Sequence, residues 1–229
     1  MASRVYFGRK LFRFLKELEA NNDRGWFEQN KVRYQEEVRA PLLLFIDDFG
    51  PRLAKLSQHM VADPRPSGGS MFRIYRDTRF SKDKSPYKLY ASAQFRHEAG
   101  KDAHAPCFYL HLQPGGCFVG AGVWHPDGPS VKKIRQAIVA HPAEWKRIVT
   151  SRAWKAACTL EGDSLKRPPR GFDPEHAHIE DLKRKDFIAV AQIGDAVVCS
   201  GDFMNVFVKF CRTNSRWMQF LTQAIGVSW

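Results

Sequence analysis

The spacing of apolar residues changes twice along this chain, and that change limits the architectures open to it. Leu11, Phe14, Leu15 and Leu18 recur at helical spacing, and Asn21-Asn22-Asp23 then stops one helix and caps the next. Phe27, Lys31, Tyr34 and Val38 predict a second helix ending near Pro41. Leu42, Phe45, Ile46, Phe49, Leu53 and Leu56 predict a third, bent at Gly50-Pro51. From Met71 the period shortens. Met71 to Tyr75, Leu89 to Arg96, Cys107 to Gln113 and Cys117 to Trp124 read as strands. In the third of these, Phe108, Leu110 and Leu112 alternate with Tyr109 and His111, the pattern of a half-buried strand. Pro114-Gly115-Gly116 turns it into the fourth as an antiparallel hairpin. Gly120 and Gly122 share one face of that fourth strand, where missing side chains let a helix or a ligand come close.

Helical spacing returns after Pro126-Asp-Gly-Pro129, with Val131, Ile134, Ile138 and Val139, then Trp145, Ile148 and Val149. Lys166-Arg-Pro-Pro-Arg-Gly171 is extended and basic. A short helix near His176 to Lys183 leads into a strand from Phe187 to Ile193. A last helical region runs from Gly201 to about Gly226, with a break near Thr213-Asn214. Helices, then an antiparallel sheet, then helices is an α+β order. We expect one α+β domain over residues 1–229, with a mostly antiparallel sheet of about five strands packed by N-terminal and C-terminal helices. The 229-residue length suits one large domain.

Charge narrows the class of partner. The formal net charge is +12, which favours polyanionic partners or attracts anionic ligands. The densest feature is Arg73 to Lys88, with six basic residues, two acids, and Tyr75, Phe80 and Tyr87 interleaved. Residues 131 to 170 carry ten basic residues against three acids, and Arg4 to Lys16 has no acid. Arg supplies a planar fork for phosphate or carboxylate, and Lys a mobile point charge. An anion site with Arg76, Arg79, Lys84 and Lys88 as contacts is one reading. A loop tied down by its own ion pairs, through Asp77 and Asp83, is the other.

Asp77 and Asp83 also suffice as types for a metal site completed by substrate phosphate, or for acid–base work. Cationic neighbours would keep both ionised, which disfavours a general-acid role. Tyr87 and Phe80 either stack a base or pin the loop. Trp26-Phe27 with Tyr34 reads as a buried helix face, and Asn30 is the residue there that packing does not explain. Trp124 ends a strand and reads as a core plug rather than a stacking platform. His97, His104, His111 and His125 match no metal-ligand spacing and read as core or surface residues. No metal site or cofactor is assigned. The five cysteines form no C-x-x-C pair and read as reduced. No apolar run approaches the roughly 20 residues of a membrane span and no leader-like apolar segment opens the chain, so we expect no membrane partner and a cytoplasmic location.

Several motifs occur together in order. They are Leu15-Lys-Glu-Leu-Glu-Ala-Asn-Asn22, Trp26-Phe27-Glu-Gln-Asn30-Lys31-x-x-Tyr34 with Pro41, and Arg76-Asp77-Thr-Arg79-Phe80-Ser-Lys-Asp83-Lys84-Ser-Pro86-Tyr87-Lys88. Further on stand Gly120-Ala-Gly-Val-Trp-His-Pro126, Arg135, Pro169-Arg-Gly-Phe172 and Leu182-Lys183-x-Lys185-Asp186-Phe187. In these the chain resembles the family known as domain of unknown function 2461, found mostly in bacteria and also in fungi. The resemblance spans nearly the whole chain. It implies one domain and carries over no catalytic residue.

Three functional readings follow. The first is a protein binding a phosphate-bearing anion, nucleic acid or nucleotide, through the Arg76–Lys88 loop, with Tyr87, Asn30, Trp124 and Arg135 as further site candidates. The second is an enzyme on a small phosphorylated or anionic substrate using Asp77 and Asp83. The third is an interaction module whose basic face docks an acidic protein.

Overall fold

The computed structural model describes residues 4–100 and 105–229. It is an α+β domain in which a five-stranded antiparallel sheet is flanked by N-terminal and C-terminal helices. The strands are β1 (Ala91–Arg96), β2 (Cys107–Leu112), β3 (Phe118–Val123), β4 (Thr159–Glu161) and β5 (Phe187–Gln192), in the order β1-β2-β3-β5-β4. Register is fixed by alternation. Phe108 stands opposite Phe95 and Ala121, and Leu110 opposite Ala93 and Val119, so one face is apolar throughout. Gly115, at φ 69°, makes the hairpin turn between β2 and β3.

That apolar face packs on helices. Helix α1 (Arg9–Ala20) buries Leu11, Phe14, Leu15 and Leu18, as its period predicts. Next come α2 (Arg24–Gln29), capped by the Asp23 carboxylate on the Trp26 N–H at 2.9 Å, and α3 (Lys31–Tyr34). The chain does not stop at Pro41. A π-helical turn over Gln35–Arg39 runs directly into α4 (Ala40–Leu53), whose first turn holds Pro41. The wider turn gives the proline ring room where an α-turn would crowd the carbonyl four residues back. Pro51 falls in the last turn of α4, which ends two residues later.

Helices α5 (Gly128–Ala140), α6 (Pro142–Val149) and α7 (Arg152–Ala157) follow β3. Short α8 (Ile179–Leu182) precedes β5, and α9 (Asp195–Val198) follows it. The C-terminal region breaks at Asn214 into α10 (Phe203–Thr213) and α11 (Ser215–Ile225), which closes on Gly226 at φ 92°. Phe45, Phe49, Phe95, Phe203 and Phe207 form a continuous aromatic cluster between α4, β1 and α10. Trp217 is fully buried and donates from Nε1 to the Ala121 carbonyl at 3.1 Å, tying α11 to the sheet.

The expected strand over Met71 to Tyr75 is replaced by two isolated bridges, Met71 to Ala93 and Tyr75 to Tyr87. The segment still lies antiparallel beside β1, with hydrogen bonds from the Phe72 N–H to the Ser92 carbonyl at 3.0 Å and from the Gln94 N–H to the Ser70 carbonyl at 2.8 Å, but the pairing is too short to make a strand. The fifth strand is β4, three residues long, paired only with β5.

Candidate functional site

Successive residues of a strand point to opposite faces. The face away from the aromatic cluster carries Ser92 and Gln94 of β1, Tyr109 and His111 of β2, Gly120 and Gly122 of β3, and Ile188 and Val190 of β5. These line a cleft of about 470 Å³, with Phe72, Lys88 and Trp124 also on its wall. That volume lies in the range of small-molecule sites. The two glycines have different reasons. Gly122 has φ 140°, and a Cβ there would sit 1.9 Å from the Phe187 carbonyl oxygen, so the backbone demands glycine. At Gly120 a Cβ would meet its nearest neighbour, Tyr109 Cβ, at an ordinary 3.7 Å. Packing does not require glycine at that position, and its absent side chain keeps the floor open.

A polar chain crosses this floor. The Tyr109 hydroxyl lies 3.2 Å from His111 Nδ1, and His111 Nε2 lies 3.0 Å from Gln113 Oε1. Since the Gln113 oxygen can only accept, Nε2 carries the proton and Nδ1 accepts from Tyr109. Phe118 stacks on the His111 ring at 4.5 Å, and Tyr90 lies 4.2 Å away, centroid to centroid. Burial lowers the His111 pKa more than the Gln113 bond raises it, and burial pushes Tyr109 up to about 12. The floor is therefore uncharged at neutral pH.

Lys88 supplies the charge. Its Nζ lies 5.2 Å from the Phe72 ring centroid and 5.9 Å from that of Tyr90. Among the described residues no carboxylate is within ion-pair distance of it. Burial and, secondarily, the charge of Arg73 lower its pKa. Lys88 and Tyr90 line both the cleft and an open groove of about 460 Å³ that also holds Arg76, Asp77 and Gln113. The two depressions therefore meet at Lys88.

Three other cations of the basic loop, Arg76, Arg79 and Lys84, are engaged within it. Arg79 forks onto Asp77, with contacts of 3.0 Å from Nε and 2.7 Å from Nη2. Arg76 pairs with Asp83, and Lys84 Nζ donates to the Thr78 carbonyl at 2.9 Å. The Arg79 fork holds Asp77 down to about 2, and Ser85 with Arg76 holds Asp83 lower still. Phe80, at the loop tip, is 96 % exposed beside the Arg79 guanidinium. Tyr87 is a pin: it stacks on Phe27 at 4.1 Å, and its backbone exchanges hydrogen bonds with the Asn22 side chain.

The remaining candidates separate. Trp124 is not a core plug. It is 50 % exposed at the wall of the cleft, because β3 ends at Val123 and the next residues turn outward. Asn30 sits at the α2–α3 junction, donating to the Trp26 carbonyl and accepting from Arg33. It caps a helix end and does not line the cleft. Arg135 is half-buried and donates to the Arg184 carbonyl at 2.9 Å, while the other nine basic residues between 131 and 170 are exposed. His97 is buried, with Nε2 2.7 Å from the Ser228 carbonyl oxygen. His125 follows the far end of β3 from His111 and pairs with buried Asp186 at 3.0 Å. His104 lies outside the described residues. Among the described residues no group of three or more His, Cys, Asp or Glu could hold a metal, and no helix is long and apolar enough to cross a membrane.

Ser92, Gln94, Tyr90 and Tyr109 were not singled out as site residues by sequence. The available signal was the off-phase set of each strand, polar and aromatic where a solvated face would be charged. A family model described as conserved hypothetical protein, DUF2461, matches residues 10–220. No curated protein and no solved structure matches the chain.

Proposed function

We propose that this chain, which belongs to the conserved hypothetical protein family DUF2461, binds a small phosphate-bearing anion with a planar ring, a nucleotide being the prime example. One observation carries the reading: Lys88, a cation without a carboxylate partner among the described residues, stands where a largely aromatic cleft, with Glu161 on its wall, meets a groove holding Arg76. A ring lies over Gly120 against Tyr109 and Trp124, and the phosphate reaches Lys88 and Arg76. Arg76 can exchange Asp83 for a ligand oxygen because Asp83 lies exposed at the surface, where an ion pair contributes only about 0–1 kcal/mol. Arg79 and Lys84 hold the shape of the loop that carries Arg76.

A second reading, a nucleic-acid strand, is favoured by Phe80. An aromatic ring that is 96 % exposed, beside Arg79 in a basic loop, is a stacking platform for a base. Thermal-shift measurements with nucleotides, phosphate, pyrophosphate and short DNA and RNA separate the two. A ligand at 100 times its Kd adds roughly 2.7 kcal/mol. The nucleotide reading expects a shift lost in Lys88→Met and kept in Phe80→Ala. The strand reading expects a shift with oligonucleotides alone, lost in Phe80→Ala, with log K falling linearly in log salt. No shift with any of them contradicts both and favours docking of an acidic protein.

A further inference from the structure

We propose that the Lys88 amine is a nucleophile that condenses with the carbonyl carbon of an anionic aldehyde or ketone held in the sheet-face cleft. The inference rests on the cleft being a ligand site, and it adds a covalent step to that reading. A lysine becomes nucleophilic near neutral pH when it is desolvated in an apolar pocket or placed beside another cation. Lys88 has both conditions. It lines the largely apolar cleft and no described carboxylate neutralises it, while the Phe72 and Tyr90 ring faces attract the ammonium and oppose these two effects. Burial and the Arg73 charge both favour the neutral amine.

The contrast with Lys31 is instructive. Lys31 is exposed, and its hydrogen bond and ion pair with Glu28 at 3.0 Å raise its pKa, which keeps it an ammonium. Each unit by which a lysine pKa falls gives about ten times more neutral amine at a fixed lower pH. Among the described residues, the lysine inside the cleft is pushed toward the free base and Lys31 away from it.

The step balances without an oxidant. The ammonium first loses a proton to solvent. The nitrogen lone pair then attacks the carbonyl carbon, and the carbonyl oxygen leaves as water with both amine hydrogens. A carbon–nitrogen double bond replaces the carbon–oxygen one, and water reverses the reaction. Arg76, in the adjoining groove, is placed to hold the substrate's anionic group.

Pyridoxal 5′-phosphate is a suitable probe, since it combines a planar ring, a phosphate and an aldehyde. The full-length protein is mixed with an equimolar amount near neutral pH and trapped with cyanoborohydride. Peptide mass spectrometry then locates the adduct. The expected result is that Lys88 carries the dominant adduct, in clear excess over every other lysine. Lys88→Arg should lose the dominant adduct, and the parent protein should show a thermal shift with pyridoxine 5′-phosphate, which has no aldehyde. Labelling spread over the exposed lysines, without an excess at Lys88, overturns the proposal. If the alcohol still shifts the parent protein in that case, the cleft reading stands and only the covalent step fails. If it gives no shift either, both fail together.

Discussion

Gly120 and Gly122 differ in what they do, although they lie two residues apart on one strand. Gly122→Ala puts a methyl group against the Phe187 carbonyl at a positive φ, and should cost about 3 kcal/mol or more. Gly120→Ala meets only ordinary contacts, so it should fold with near-parental stability while narrowing the cleft floor. Urea unfolding of the pair, read with ligand thermal shifts, checks this. Equal destabilisation of both would remove the argument that Gly120 is there for the cleft. Asp77 gives a second residue-scale test. Its pKa is lowered to about 2 from an ordinary value near 4, so the Arg79 pair is fully present above about pH 4 and is lost as pH falls toward about 2. An NMR titration of the Asp77 carboxyl should find that low midpoint. An ordinary carboxylate midpoint would mean that the fork is open in solution.

At the scale of elements, two buried polar groups hold pieces together. Asn214, at the break between α10 and α11, accepts from Trp154 Nε1 at 2.9 Å and donates to the Phe210 carbonyl at 3.0 Å. Asn214→Ala leaves the indole N–H unpaired in the core and should cost about 1–3 kcal/mol in chemical denaturation. Asp186 joins the end of β3 to the loop after β4, accepting from the His125 N–H at 2.7 Å and the Asp163 N–H at 2.9 Å. The break at Asn214 was legible in sequence, as were β2 and its hairpin, because each has a local signal. Strand β4 was not: three residues between α7 and a basic coil show no period, and they become a strand only because β5 offers an edge. Trp124 was misread for a related reason. Its size argues for burial, but its position one residue past the end of β3 turns it outward.

At the scale of the molecule, the sheet divides the chain's chemistry. One face is a helix-covered aromatic core, and the other is a cleft assembled from alternate residues of β1, β2, β3 and β5. The basic loop was conspicuous in sequence because its charges are contiguous. The cleft was not, because each strand contributes a few unexceptional residues that meet only through register. Lys88 belongs to both, and its lowered pKa has a stability consequence. Between its folded and unfolded pKa values the unfolded chain binds the extra proton, so stability rises with pH there and the buried cation is a cost below it. Lys88→Met should therefore melt at or above the parent temperature, with roughly 2–4 °C expected per kcal/mol at this chain length. A variant that melts well below the parent would mark Lys88 as scaffold.

The most direct measurement is a two-dimensional NMR titration of the isotopically labelled protein with a nucleotide. The account predicts that perturbed amides cluster at Lys88, Tyr109, His111 and Gly120, on the open face of the sheet. Perturbations confined to Arg79–Lys84 or to the basic surface between 131 and 170, with the cleft silent, would contradict it.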